Sequence, residues 1–321
     1  MLNKHGLSTG QKFKKRWVTR MLASFLRRKP AKKSASSGRT HLPYFLYCPN
    51  NHKLHTVLSI AGTDPSGGAG IQADIKTLSA TGSYAASVIT VLVAQNTQGV
   101  QAIQEIPLTF IQQQIDAVFT DLSIAAVKLG MLYQEDIIRL ITDNIKKYHP
   151  PFIVLDPVMT AQSGDCLLKA NAVTALTDLF PFVTLITPNI PEAEILLNQK
   201  IRDQEQMKSA AIQLAKTYKV SVLLKGGHLD SDDSPDILYD NAKGKIYRFD
   251  SPRIDTLHTH GTGCTLSSAI ASYLAQDYDL HQAIHKAKAY LYQAIDAGKD
   301  LNIGKGKGPV NHFYYFKEGK T

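Results

Sequence analysis

Only three cysteines, Cys48, Cys166 and Cys264, occur in 321 residues, and no two of them form a C-x-x-C pair. That scarcity argues against a disulfide scaffold or a cysteine-built zinc site and points to a reducing, cytoplasmic compartment. No run of eighteen apolar residues exists, so a membrane-spanning helix is not expected. Acidic residues are missing from positions 1–53, which hold thirteen Lys or Arg. The remainder, with 23 basic against 27 acidic residues, carries a net charge of −4. The overall +9 therefore belongs to the N-terminal stretch, and the rest has little electrostatic reason to bind nucleic acid.

Residues 1–53 read as a basic, disordered extension, with Lys14-Lys15-Arg16, Arg27-Arg28-Lys29 and Lys32-Lys33 beside a short apolar face of Trp17, Met21, Leu22 and Phe25. A transit-like targeting peptide is the second reading, and a true start further downstream is the third. Residues 54–321 form one expected domain. Short Val/Ile/Leu runs at 57–61, 87–93, 125–129, 152–155, 183–187 and 220–225 read as strands buried on both faces. Helix-like segments at 70–81, 107–119, 134–148, 170–180, 191–197 and 203–218 alternate with them. A hairpin over 236–249 follows, then helices over 261–276 and 279–299. This alternation predicts an α/β fold, a three-layer α/β/α sandwich with a mostly parallel central sheet.

Two glycine loops stand out. Gly62 to Gly70 links the first strand to the first helix, and His260-Gly261-Thr262-Gly263-Cys264 opens an apolar helix. Neither closes on the Lys-Ser/Thr of a Walker loop, and the Rossmann spacing does not fit. Unobstructed N–H groups at Gly261 and Gly263, at a helix start, make an anion site for a transferred phosphoryl group. Cys264 at that mouth is expected to have a lowered pKa. Most other candidates, including Gly62, Gln95, Asp156, Asn189 and Lys225, follow a strand candidate, where ligands collect in open α/β sheets.

In order, Thr63–Asp74, Ala94-Gln95-Asn96-Thr97, Lys128–Met131, Asp156–Met159, Thr187–Glu194, Lys225–His228, Gly261–Cys264 and Gly308–Phe313 resemble the hydroxymethylpyrimidine/phosphomethylpyrimidine kinases of the ribokinase-like superfamily, over about residues 55–316. The resemblance implies ATP- and Mg²⁺-dependent phosphorylation of 4-amino-5-hydroxymethyl-2-methylpyrimidine and of its monophosphate, for thiamine biosynthesis. It implies that Gln95 reads the pyrimidine edge, with Gly62, Val93, Met131 and Val158 around the ring. Asp156 and Glu192 are the implied carboxylates near Mg²⁺; Lys225, Asn189 and Thr262 are the implied nucleotide-phosphate contacts. Cysteine at 264, where sugar kinases of the superfamily carry aspartate, favours the pyrimidine branch and makes Cys264 a candidate base beside Gly261 and Gly263. A small-molecule substrate and a homodimer are expected. The rivals are a pyridoxal/pyridoxine kinase of the same superfamily and a non-catalytic protein binding RNA or membrane through the basic tail. Asp74 and Lys288 have no assigned role.

Overall fold

Successive residues of a strand point to opposite sides of its sheet, so a strand without polar alternation needs cover on both sides. The computed structural model describes residues 54–160, 167–227 and 235–316. The expectations for 1–53, and Cys48, Cys166 and His228, lie outside the described residues. The main sheet holds β1 (Thr56–Ala61), β2 (Tyr84–Ile89), β5 (Ile124–Leu129), β6 (Ile153–Leu155), β7 (Leu185–Ile186), β8 (Ser221–Leu224), β9 (Asp236–Asp240) and β10 (Lys245–Phe249). Their order is β10-β9-β8-β7-β6-β5-β1-β2, parallel from β8 to β2, with the β9–β10 hairpin antiparallel at one edge.

Helices cover both faces. Leu58, Val127, Leu155, Ile186 and Val222 pack with α2 (Leu108–Phe119), α3 (Glu135–Tyr148), α4 (Val173–Leu179), α5 (Ile190–Leu197) and α6 (Gln204–Tyr218). Their neighbours Val57, Ala126, Val154, Leu185 and Leu223 pack with α1 (Gly70–Ala80), α7 (Thr262–Ala275) and α8 (Leu280–Asp296). In α3, Ile137, Ile138, Ile141 and Ile145 make the buried stripe. Each such side chain contributes about 1.5–3 kcal/mol by leaving water. The three-layer arrangement is as the alternation predicts.

Three boundaries differ from the sequence expectation. The single strand expected over 87–93 is two. The chain leaves the main sheet at Thr90, whose hydroxyl donates to the Met131 carbonyl at 2.8 Å. It continues as β3 (Val91–Asn96), paired antiparallel with β4 (Gly99–Glu105) in a separate small sheet. The 170–180 helix is an α-helical turn flanked by 3-10 turns at 170–172 and 180–182, because Pro181 cannot extend it. Helix α8 stops at Asp296 rather than 299; a side chain at Gly298 would meet the Ala294 carbonyl oxygen at 2.9 Å.

Candidate active site

The carboxyl ends of β1, β5, β6, β7 and β8 deliver Gly62, Met131, Asp156, Asn189 and Lys225 to one cavity of about 990 Å³. All thirteen residues proposed from the sequence line it, and so does Lys288. Gln95 arrives differently from the expectation. It does not follow a main-sheet strand; the β3–β4 hairpin carries it over the cavity from outside that sheet. Its half-buried side-chain amide makes no hydrogen bond to any described residue.

Under that hairpin, Val93, Met131 and Val158 meet with Val91 and Leu167 in a small apolar cluster apart from the main core. Thr63 ties it down: its hydroxyl accepts the Val93 N–H at 2.9 Å and its own N–H donates to the Val91 carbonyl at 3.1 Å. A methyl group at Gly62 would sit 3.3 Å from both Met131 Sδ and Val91 Cγ1, so glycine keeps this slot open.

The opposite end is charged. Asp156 is buried, and its Oδ1 accepts from Lys225 Nζ at 2.7 Å and Thr187 Oγ1 at 3.0 Å. Asn189 and Glu192 form a reciprocal capping box on α5: Asn189 Oδ1 accepts the Glu192 N–H at 2.9 Å, and Glu192 Oε2 accepts the Asn189 N–H at 2.8 Å. Both side chains are therefore partly committed to the helix start. Burial pushes the Glu192 carboxyl well above its ordinary range; Lys225 opposes this and Asp156 adds to it.

Helix α7 faces these groups. Gly261, its N-cap, has φ of 82°, a left-handed conformation, and a Cβ there would lie 1.7 Å from the Gly68 carbonyl oxygen. Gly263 stands against Asp156, where a Cβ would be 3.1 Å from Oδ2. First-turn N–H groups have no preceding helical carbonyl to bond, so the turn offers donors to an anion. The expected low thiol pKa at Cys264 is reversed. Burial pushes it up to about 11, with Lys128 and the Gly70 N–H opposing and Asp74 and Asp156 reinforcing. Desolvation is the largest influence on the thiol here.

Several members of the site had no assigned part in the sequence reading. Lys128 is fully buried and salt-bridged at 2.8 Å to Asp74, which also accepts from Ser59 and Ser268 at 2.6 and 2.8 Å. This joins β5, β1, α1 and α7 beneath the cavity. A lysine inside an apolar strand was the available signal, because such a charge needs a buried partner. Lys288 pairs with Asp236 at 2.7 Å, and Asp236 also accepts the Gly226 N–H at 2.9 Å.

Among the described residues no group of three or more His, Cys, Asp or Glu side chains forms a metal cage. Asp156 and Glu192 instead make a two-carboxylate wall, which suits a divalent ion that keeps waters and arrives with phosphates.

Five parallel strands emptying their loops into one cavity, with a glycine-opened helix start in place of a Walker loop, mark a small-molecule kinase of the ribokinase-like type. The chain belongs to the phosphomethylpyrimidine kinase family, whose profile matches residues 64–311. It is 47% identical over 264 residues to the hydroxymethylpyrimidine/phosphomethylpyrimidine kinase of Escherichia coli K12, covering 82% of this chain and 98% of that one. It is 50% identical over 258 residues to the thiamine biosynthesis bifunctional protein ThiED of Geobacter sulfurreducens, where it covers 80% of this chain but spans only about half (52%) of the relative. In three dimensions it resembles Bacillus subtilis pyridoxal kinase, solved as an ADP complex, with TM-score 0.75, 33% identity and coverage of 82% and 98%. Family membership makes the chain an ATP-using kinase of a small molecule. No described helix is long and apolar enough to cross a membrane.

Proposed function

We propose that this chain transfers the γ-phosphoryl group of ATP to 4-amino-5-hydroxymethyl-2-methylpyrimidine and then to the resulting monophosphate, supplying the diphosphate for thiamine. The observation that carries this reading is the Gln95 amide, without a hydrogen-bond partner among the described residues, over the Val93–Met131–Val158 slot, across one cavity from the α7 start. An amide both donates and accepts, which matches an aminopyrimidine edge, and the slot takes the flat ring. The ring's hydroxymethyl group then points toward Gly261–Cys264. There its oxygen bonds to the γ-phosphorus as the bridging bond to ADP breaks, and the turn's N–H groups hold the charge on the phosphoryl oxygens. Cys264, in its thiolate form, is placed to accept the hydroxyl proton. Asn189 and Thr262 approach the nucleotide phosphates from the starts of α5 and α7, and Lys225 neutralises them.

Asp156 and Glu192 would hold Mg²⁺, which would screen the phosphate charge when bound. An adjoining cavity of about 610 Å³, walled by residues 253–258 and Tyr292, shares Arg253 and Thr256 with the first and accepts the nucleoside end. A cytoplasmic homodimer is part of the same reading; the cysteine usage supports the compartment. Exposed Leu92 and Phe110, and Tyr84 on edge strand β2, supply apolar surface for a second copy.

The deciding experiment is a coupled ADP-release assay across hydroxymethylpyrimidine, its monophosphate, pyridoxal and a panel of sugars. Hydroxymethylpyrimidine should have the highest kcat/KM, with the monophosphate also turned over. Gln95→Leu should lower kcat/KM for hydroxymethylpyrimidine by an amount worth about 1–3 kcal/mol, because it leaves ring polar groups unpaired. Wild-type kcat/KM in that variant would remove Gln95 from the ring site. Preference for pyridoxal would move the chain to the activity of its structural neighbour.

A further inference from the structure

Asp64 is fully buried and organises the first glycine loop. Its Oδ1 accepts from the N–H and hydroxyl of Ser66 at 2.9 and 2.6 Å, and Oδ2 accepts from the N–H groups of Gly68 and Ala69 at 3.1 and 2.7 Å. One further contact leaves the loop. His260 Nε2 lies 2.7 Å from Asp64 Oδ2, across 196 positions of sequence, and immediately precedes the Gly261 turn.

The two loops also interlock sterically. A Cβ at Gly261 would collide with the Gly68 carbonyl, and one at Gly68 would lie 2.4 Å from His260 Cδ2. His260 is held from its other side, where its N–H donates to the Gly308 carbonyl at 3.1 Å. Burial alone would raise the Asp64 carboxyl, but hydrogen bonds from His260 and Ser66 hold it far below the usual range. An ionised carboxylate only accepts, so the contact requires the proton on His260 Nε2.

We propose that Asp64 and His260 are a positioning pair for phosphoryl transfer: the Nε2–H donated to the buried carboxylate sets the Gly261–Cys264 turn against the substrate loop, so that the starts of α1 and α7 face one reacting centre. Neither side chain needs to touch the reacting atoms. The proposal rests on the reading of the Gly261–Cys264 turn as the phosphoryl site.

The test compares His260→Ala, His260→Gln and His260→Asn. Glutamine extends an amide N–H to the position of Nε2, whereas the asparagine amide is too short to reach Asp64. His260→Ala and His260→Asn should lose about 10–100-fold in kcat, the scale expected of a small misplacement, with KM for hydroxymethylpyrimidine little changed. His260→Gln should recover most of that loss. Combining His260→Ala with Asp64→Asn should cost no more than Asp64→Asn alone, because the two residues act through one bond.

Wild-type kcat in His260→Ala and His260→Asn overturns the proposal. So does a His260→Gln enzyme as slow as His260→Ala, which would make the imidazole a proton carrier, and so do additive losses in the double variant. Should His260→Ala fail to fold, the Gln-against-Asn comparison carries the test. Gly263→Ala, run alongside, separates the two readings. Full kcat there removes the turn as phosphoryl site, and the proposal with it. Lost kcat there, beside a normal His260→Ala, keeps the turn and sinks the pair.

Discussion

At the scale of single residues, Cys264 sets a condition on the chemistry. A thiol with a pKa of about 11 is ionised to only about one part in 10⁴ at pH 7. A base of that strength becomes more available as pH rises, so wild-type kcat should climb through pH 7–9. Cys264→Ala should lose about 10²-fold or more in kcat and lose that slope as well. A steep rise retained in the alanine variant would assign the titration to another group. Glu192 makes a paired prediction. Its carboxyl pKa is raised by burial, so the folded protein keeps the proton to higher pH than the unfolded chain does. Stability then declines as pH rises from the unfolded carboxylate range through the folded pKa. Glu192→Gln should therefore gain melting temperature relative to wild type as pH rises, while needing more Mg²⁺ for turnover. Thermal melts across pH and an Mg²⁺ titration check both halves; an unchanged Mg²⁺ requirement would leave Glu192 as the cap of α5 alone.

At the scale of elements, two turns decide where the chemistry sits. Helix α7 begins at a left-handed residue pressed on the Gly68 carbonyl, so Gly261→Ala meets both a backbone penalty and a collision. The backbone term alone is about 1–2 kcal/mol. Gly261→Ala should lower the melting temperature and, by displacing the turn, reduce kcat. Gly244, equally left-handed at φ 61° but with nothing within 4 Å, should show the stability loss without the kinetic one. Equal kinetic behaviour in the two variants would detach the turn from catalysis. The β3–β4 hairpin shows why one element escaped the sequence reading. Val88 to Val93 is an unbroken run of strand formers, and periodicity has no term for the point where a chain changes sheets. Strand β4 hid for a second reason: Gly99 to Glu105 is largely exposed and mixed in polarity, so it lacks the buried signature of its neighbours.

At the scale of the whole molecule, every cavity residue named above lies C-terminal to position 60, and the family match begins at residue 64. A chain beginning at Asn51 should therefore melt and turn over like the full chain, while any RNA or anionic-lipid binding by the full chain should vanish with the basic segment and weaken with salt. Lost activity or solubility on truncation would show that residues 1–50 support the rest.

The amino-acid sequence alone was enough to determine the layer architecture, because short apolar strands alternating with helices admit few folds, and to nominate strand-end residues such as Gly62, Asp156 and Lys225, because parallel strands present their loops at one end; Gln95 and Val93 were nominated for the ring through the family resemblance. Helix starts were legible where a cap or glycine turn announced them, as at Asn189 and Gly261. Only the tertiary structure decided the partners. Asp64 finds His260 across 196 positions, and Lys128 finds Asp74 across 54, through packing that no local pattern encodes. It also decided the ionisation of Cys264, whose place at a helix start predicts a low pKa while its burial imposes a high one. Charge and position can be read along a chain, but desolvation depends on what the rest of the molecule brings alongside.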